Sequence, residues 1–346
     1  MTATDSRVQQ IRQWLSGELG HSLVRLEPAS ADASFRRYFR AWRADGSTRV
    51  VMDAPPDKED IGPYLKVAAL LAACGVHVPQ VEAVDQGRGL VLLEDLGSVQ
   101  YLTKLRAGQG IDGLYAEALE ALLRIQLRGR EAARELPPYD RATLEREMSL
   151  MPEWFCTRHL GLTLGDADSE VLRSTFDFLA LEALAQPTVF VHRDYHSRNL
   201  MWLAHDNPGI VDFQDALAGP VGYDPVSLLK DCYIDWPRAQ VERWVGEYRA
   251  RLRGAGDLAG SSEREFLRWF DLTGVQRHIK VLGIFARLWY RDGKHGYLAD
   301  LPRTLAYVID AAARYDEVSA FSRWLQRRIV PAFASANARA LASAGA

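Results

Sequence analysis

The chain has 346 residues, 48% of them hydrophobic and 25% charged, with a formal net charge of −3. Such a balance excludes a disordered polymer, and it supplies neither a basic face for nucleic acid nor a polybasic patch for a membrane. The three cysteines, Cys74, Cys156 and Cys232, stand far apart, which speaks against a disulfide framework or a structural zinc and for a reducing compartment.

Taken in chain order, Val8, Ile11 and Leu15 recur at helical spacing and predict a short amphipathic helix closing near Gly17 or Gly20. "SLVRLEP", "FRRYFRAWR" and "TRVVMDAP" then read as strands, with "ADGS" at residues 44–47 as a hairpin turn. "PYLKVAALLAACG" predicts a helix over 65–73 that ends at Gly75. "VPQVEAVDQGRGLVLLED" predicts two more strands around a turn at 86–89. Five strands and one inserted helix make a compact lobe over residues 1–93.

After Gly97 the period changes. "GLYAEALEALLRIQL" and "SEVLRSTFDFLALEAL" are helical, the second with Ser169 as its N-cap, and helical patterns resume after Asp235. The fold class expected is bilobal α+β: a five-stranded antiparallel sheet with its helix, a crossing at 94–97, and a mostly helical lobe over 98–346. Ligand sites concentrate in clefts between such lobes. No uninterrupted apolar run approaches a membrane span and "MTATDSRVQQIRQWL" has no apolar signal core, so a cytoplasmic location is expected.

The polar stretch "HRDYHSRN" interrupts two strand-like runs, "TVFV" and "LMWL", and "GIVDFQDA" follows as a hairpin partner. His192, Arg193 and Asp194 with Asn199 fit the H-R-D-x-x-x-x-N pattern of kinase catalytic loops, and Asp212 of Asp212-Phe213-Gln214 sits where a kinase has Asp-Phe-Gly. The spacing has a chemical reason. Mg²⁺ takes hard oxygen ligands, one or two from protein and the rest from phosphates and water, and Asn199 and Asp212 would supply that pair across the hairpin. Asp194 is then the base that accepts the acceptor's proton, with His192 bracing the loop. Turn capping alone explains an isolated Asp–Asn pair, but not the whole constellation.

These residues resemble the aminoglycoside phosphotransferase-like kinases, a group that includes choline and homoserine kinases and shares the protein-kinase fold. The resemblance extends to "GPVGYDPVSLL", where Asp224 matches an acidic residue that braces the catalytic region. Within the group, "VVMDAPPDKED", "LLEDLG", "DFQDALAGPVGYDPVSLLKDCYIDWP" and "GVQRHIKVLGIFARL" are most similar to the branch acting on the anomeric hydroxyl of amino sugars in bacterial cell-wall recycling. The resemblance implies ATP and Mg²⁺, N-acetylmuramate and N-acetylglucosamine as acceptors, an α-1-phosphate passed to a uridylyltransferase, and a monomer. It places the adenine against the backbone near Glu94 and Leu96, and the phosphates under a turn that includes Ser34, Phe35 and Arg36.

Two departures stand out. The third strand carries Met52 or Asp53 where the family has a phosphate-binding lysine, and the following helix lacks the partner glutamate. Arg36 or Arg37 is a candidate for the missing charge; the alternative is a solvated strand face. Arg193, Tyr195, His196, Arg198 and Gln214 neighbour the transfer site in sequence and are candidate acceptor contacts. Arg277, Lys280, Arg287 and Arg291 share one helix face, either as a wet surface or as a site where one of them meets a sugar carboxylate. Two further readings remain open: a kinase of the same fold for an aminoglycoside, choline or homoserine, and a silent nucleotide-binding module.

Overall fold

The computed structural model describes residues 6–31, 35–255 and 261–344; Ser34 lies outside them. The chain falls into two compact units. One runs to Tyr101 and includes Asn199–Asp215; the other holds Leu102–Arg198 and the chain from Ala216 onward.

The first unit is built on strands β1 (Leu23–Ala31), β2 (Arg37–Arg43), β3 (Thr48–Asp53), β4 (Val81–Asp85) and β5 (Leu90–Glu94). They form one antiparallel sheet in the order β1-β2-β3-β5-β4. Strand alternation sorts its side chains between two faces. Phe39 pairs with Val51 and Arg37 with Asp53, and Phe39, Ala41, Val51, Leu90 and Leu92 pack on Ile11, Trp14 and Leu15 of the amino-terminal helical segment. That segment is an α-helix over Ser6–Gln13 running into a wider π-helical turn, Trp14–Glu18.

Arg37 and Asp53 therefore belong to the face covered by this helix. Asp53 is fully buried; its Oδ2 accepts from Arg37 Nε at 3.0 Å and its Oδ1 from Arg7 Nε at 2.9 Å. Two guanidinium forks on one carboxylate satisfy a charge that would otherwise be costly inside the protein.

The inserted helix spans Gly62–Ala73, three residues earlier than its apolar period suggests. Asp60 Oδ1 accepts from Gly62 N at 2.8 Å, and Pro63 occupies an opening position where its missing N–H costs nothing. The β4–β5 turn closes on Gly89, whose φ is +66° and where a Cβ would stand 1.9 Å from the Ala54 carbonyl oxygen. Only glycine fits there. The short strands β7 (Leu200–Met201) and β8 (Gly209–Ile210) form a hairpin, β6 (Thr188–Val191) belonging to the other unit, and the hairpin is held within this unit by Trp202 N to Val99 O, 2.7 Å, and Ile210 N to His77 O, 2.8 Å.

The second unit is helical, with strands β6 (Thr188–Val191) and β9 (Leu217–Pro220) paired antiparallel. Its central element is the 28-residue helix Glu263–Tyr290, opened by a capping box between Ser262 and Glu265. This helix is buried on nearly every side from Phe266 to Trp289. At Gly283 a Cβ would lie 2.4 Å from the backbone carbon of Leu150, so the two segments meet without an intervening side chain. The helix expected to start at Ser169 begins at Asp166, with Asp168 accepting from Gly165 N at 3.0 Å. Two acidic residues in the first turn complement the helix dipole and displace the serine as the start signal.

Candidate active site

Strand β6 leads into the loop predicted to be catalytic, and two buried carboxylates fix its path. Asp224 Oδ2 accepts from His192 N at 2.7 Å and its Oδ1 from Arg193 N at 2.9 Å. Asp231 accepts from Ser197 N at 3.0 Å and from the Ser197 hydroxyl, and its other oxygen accepts from Tyr233 N at 2.9 Å. Between them Arg193 adopts φ +82°, a left-handed conformation that a non-glycine residue holds only when its surroundings impose it. His192 is buried, and its Nδ1 accepts from Asp194 N at 3.3 Å, so it belongs to the loop's internal bracing.

Asp194 lies in a cationic neighbourhood. Burial would raise its pKa, but Lys280, His196, Arg277 and Arg193 outweigh burial and bring it down to about 2. It is a carboxylate at any physiological pH.

Two of those cations are themselves tied to Glu147, which accepts from Lys280 Nζ at 3.1 Å, from an Arg193 Nη2 donor and from the Tyr139 hydroxyl. Lys280 also donates to the Tyr223 hydroxyl at 3.1 Å. Burial opposes the charge on Glu147, and Lys280 and Arg193 hold its pKa below the usual range nonetheless.

The first unit carries the other half of the predicted chemistry. Asn199 Nδ2 donates to Asp212 Oδ2 at 3.2 Å, and Gln214 Nε2 donates to Asp212 Oδ1 at 2.8 Å. Asp212 has φ +63°, and Val211 N bonded to Asn199 O at 3.1 Å holds the two segments side by side. A carboxylate beside an amide gives the hard oxygen donors that Mg²⁺ takes from protein, few enough to leave positions for phosphate and water. The residue set fits that ion.

The remaining candidates separate clearly. Tyr195 is fully buried with its hydroxyl donating to Ala118 O at 2.8 Å, which removes it from acceptor contact. Gln214 belongs with Asp212. His196 is edge-on to Tyr233, and burial holds its imidazole below the usual pKa. Arg198 stacks on the Tyr233 ring at 3.6 Å.

Arg277 and Lys280 are buried, not on a wet face; Arg291 is exposed and bonded to its neighbour Asp292 at 2.7 Å. The charged spacing suggested solvent because periodicity cannot see that this helix is enclosed.

In the first unit, Phe35 is exposed, with its N–H on Glu59 Oε1 at 3.1 Å. Arg36 and Asp212 both act on the buried Tyr64 hydroxyl, whose pKa is raised chiefly by burial, so they share one neighbourhood. Arg37 is held on the opposite strand face by Asp53. Glu94 places its side chain on His77 Nε2 at 3.1 Å and on Gln80 N at 3.2 Å, and Leu96 is buried.

Glu147 and Asp231 were not singled out from sequence. For Glu147 the signal is a carboxylate at core spacing: Leu144, Glu147 and Met148 all lie on the buried face of one helix.

The five-stranded antiparallel sheet and the helical second unit show the protein-kinase-like fold shared by small-molecule kinases. A choline kinase from Streptococcus pneumoniae matches with a TM-score of 0.61 over 88% of this chain and 99% of that one, at 12% identity. An aminoglycoside phosphotransferase solved with ADP matches with a TM-score of 0.55 over 88% and 98%, at 13% identity. The chain belongs to the phosphotransferase enzyme family, whose model matches residues 25–270. It is 46% identical over 330 residues to the N-acetylmuramate/N-acetylglucosamine kinase of Pseudomonas putida, covering 92% of this chain and 96% of that protein. It is 47% identical to the kinase of the same name from Pseudomonas aeruginosa, covering 91% and 95%.

Proposed function

We propose that the protein transfers the γ-phosphoryl group of ATP to the anomeric hydroxyl of N-acetylmuramate and N-acetylglucosamine, giving the α-1-phosphate. Identity near one half across nine-tenths of two enzymes of that name is the observation that carries the acceptor class.

Mg²⁺–ATP supplies the phosphoryl group and the neutralising charge; Asn199 and Asp212 would ligate the ion, and residues 94–97 would act as the hinge whose backbone meets the adenine. Arg36 takes the role of the absent strand lysine, supported by its neighbourhood with Asp212. The Asp194 carboxylate accepts the hydrogen bond of the C1 hydroxyl, orients its oxygen, and receives the proton as the new P–O bond forms and the bond to ADP breaks. With a pKa of about 2 it is a weak base, which suits a loose transition state where proton transfer comes late. A uridylyltransferase would be a fitting consumer of the sugar 1-phosphate.

The test is ATP turnover with both sugars, an aminoglycoside and choline, followed by ³¹P NMR of the product. A phosphorus signal coupled to an anomeric proton is expected with the two sugars. Turnover only with choline or the aminoglycoside would defeat the proposal.

A further inference from the structure

The two proposed acceptors differ in charge: N-acetylmuramate carries a lactyl carboxylate and N-acetylglucosamine has none. An enzyme using both needs a cation that engages the carboxylate yet is tolerable when unengaged. Buried cations are paired with acids as a rule, so a cation able to meet a substituent of the substrate is one not already committed within the protein.

Arg193 and Lys280 converge on Glu147. Arg277 has no ion pair among the described residues, its Nη1 resting on the Cys232 sulfur at 3.8 Å, but it is 4% exposed, its charge acts on Asp194, and it is enclosed rather than open to a substituent. Arg303, close by, bonds Asp235 Oδ1 at 2.9 Å, the Cys232 carbonyl at 2.8 Å and Asp300 Oδ1 at 3.3 Å.

Arg198 is different. Its side chain is 33% exposed and its guanidinium lies flat on Tyr233 at 3.6 Å. Its nearest acid among the described residues is Asp300 Oδ2 at 3.9 Å, beyond hydrogen-bonding distance, and Asp300 is already engaged by Arg303. Stacking fixes the plane of the fork without using its N–H donors. His196, two residues from Asp194, meets the same Tyr233 ring edge-on at 5.3 Å, so the Arg198 guanidinium and the loop that carries Asp194 share one aromatic support.

We infer that Arg198, held flat by Tyr233, is the residue that reads the acceptor's carboxylate and sets preference between the acidic and the neutral sugar. This rests on the proposed function and names the specificity element of the same site. A bidentate guanidinium–carboxylate pair at a partly exposed position corresponds to roughly ten- to hundredfold in affinity.

The experiment measures kcat and KM for both sugars, and for the neutral carboxamide of N-acetylmuramate, in the full chain and in its Arg198→Met and Arg198→Lys variants. The expected result for Arg198→Met is a fall in kcat/KM for N-acetylmuramate of about ten- to hundredfold, chiefly through KM. Discrimination between the two sugars changes by the same factor, and Arg198→Lys recovers part of it. The unaltered enzyme should lose a similar factor on the carboxamide, with no further loss when both changes are combined. Equal losses on both sugars, or no loss on either, overturn the inference while leaving the sugar-kinase reading intact. An unaltered enzyme inactive on both sugars removes that reading and this inference with it.

Discussion

Glu147 is the most informative residue to perturb in the second unit. Its carboxylate is the shared partner of Arg193 and Lys280 and also accepts the Tyr139 hydroxyl; Lys280 is buried and Arg193 half-buried, its side chain 24% exposed. Glu147→Gln keeps the shape and removes the charge, leaving two cations facing an amide. Breaking a buried pair by neutralising one partner costs about 3–5 kcal/mol, because the surviving charge stays desolvated. The loss here should reach that range. Urea unfolding by circular dichroism reads the change, and a cycle with Lys280→Met isolates the coupling: the double variant should be less destabilised than the sum of the singles by about 1–3 kcal/mol. A Glu147→Gln loss below about 1 kcal/mol would refute the reasoning, since it would mean that solvent or another acid neutralises the cations.

Asp194→Asn should lower kcat by about 10²–10⁴-fold while binding of nucleotide, followed by calorimetry, is retained. The cations near Asp194 lower its pKa, so its ionised form is favoured in the folded protein. That contribution is present above the usual carboxylate value and lost as pH falls toward about 2. Rate profiles should accordingly show no acidic limb from Asp194 between pH 5 and 8, and Lys280→Met should move such a limb upward. Asp212→Asn should raise the Mg²⁺ concentration for half-maximal rate at least about tenfold, read by metal titration of turnover. Gly283→Ala should destabilise by roughly 1–3 kcal/mol in thermal unfolding, because its methyl must displace the Leu150 backbone.

What could be read from sequence was local. His192, Arg193, Asp194 and Asn199 lie within one loop, so their spacing was visible, and the five strands announced themselves by short apolar, aromatic or β-branched runs between turn residues. The rest depended on partners remote in sequence. Glu147 and Arg193 are 46 positions apart, and nothing in "LEREMSL" names its cation. Arg277 and Lys280 looked like a solvated stripe because charge periodicity does not report that neighbouring helices enclose it. That Arg37 is spoken for could not be read from sequence, because it takes the register of β2 on β3, Arg37 opposite Asp53, to turn it toward the amino-terminal helix. The start of the helix at Asp166 was missed because three acidic or hydroxyl residues compete for the same cap.

The carboxylate of Asp53 gives the opening helix a significance beyond its length. Arg7 bonds that acid and also donates to the Arg88 carbonyl, so it ties the head of the chain to a strand and to a hairpin turn at once. Trimming the protein past this arginine would strip a fully enclosed anion of one of its two counterions. An expression variant shortened there should therefore weaken the whole sheet, including the strand at Arg37, rather than merely lose a dispensable extension.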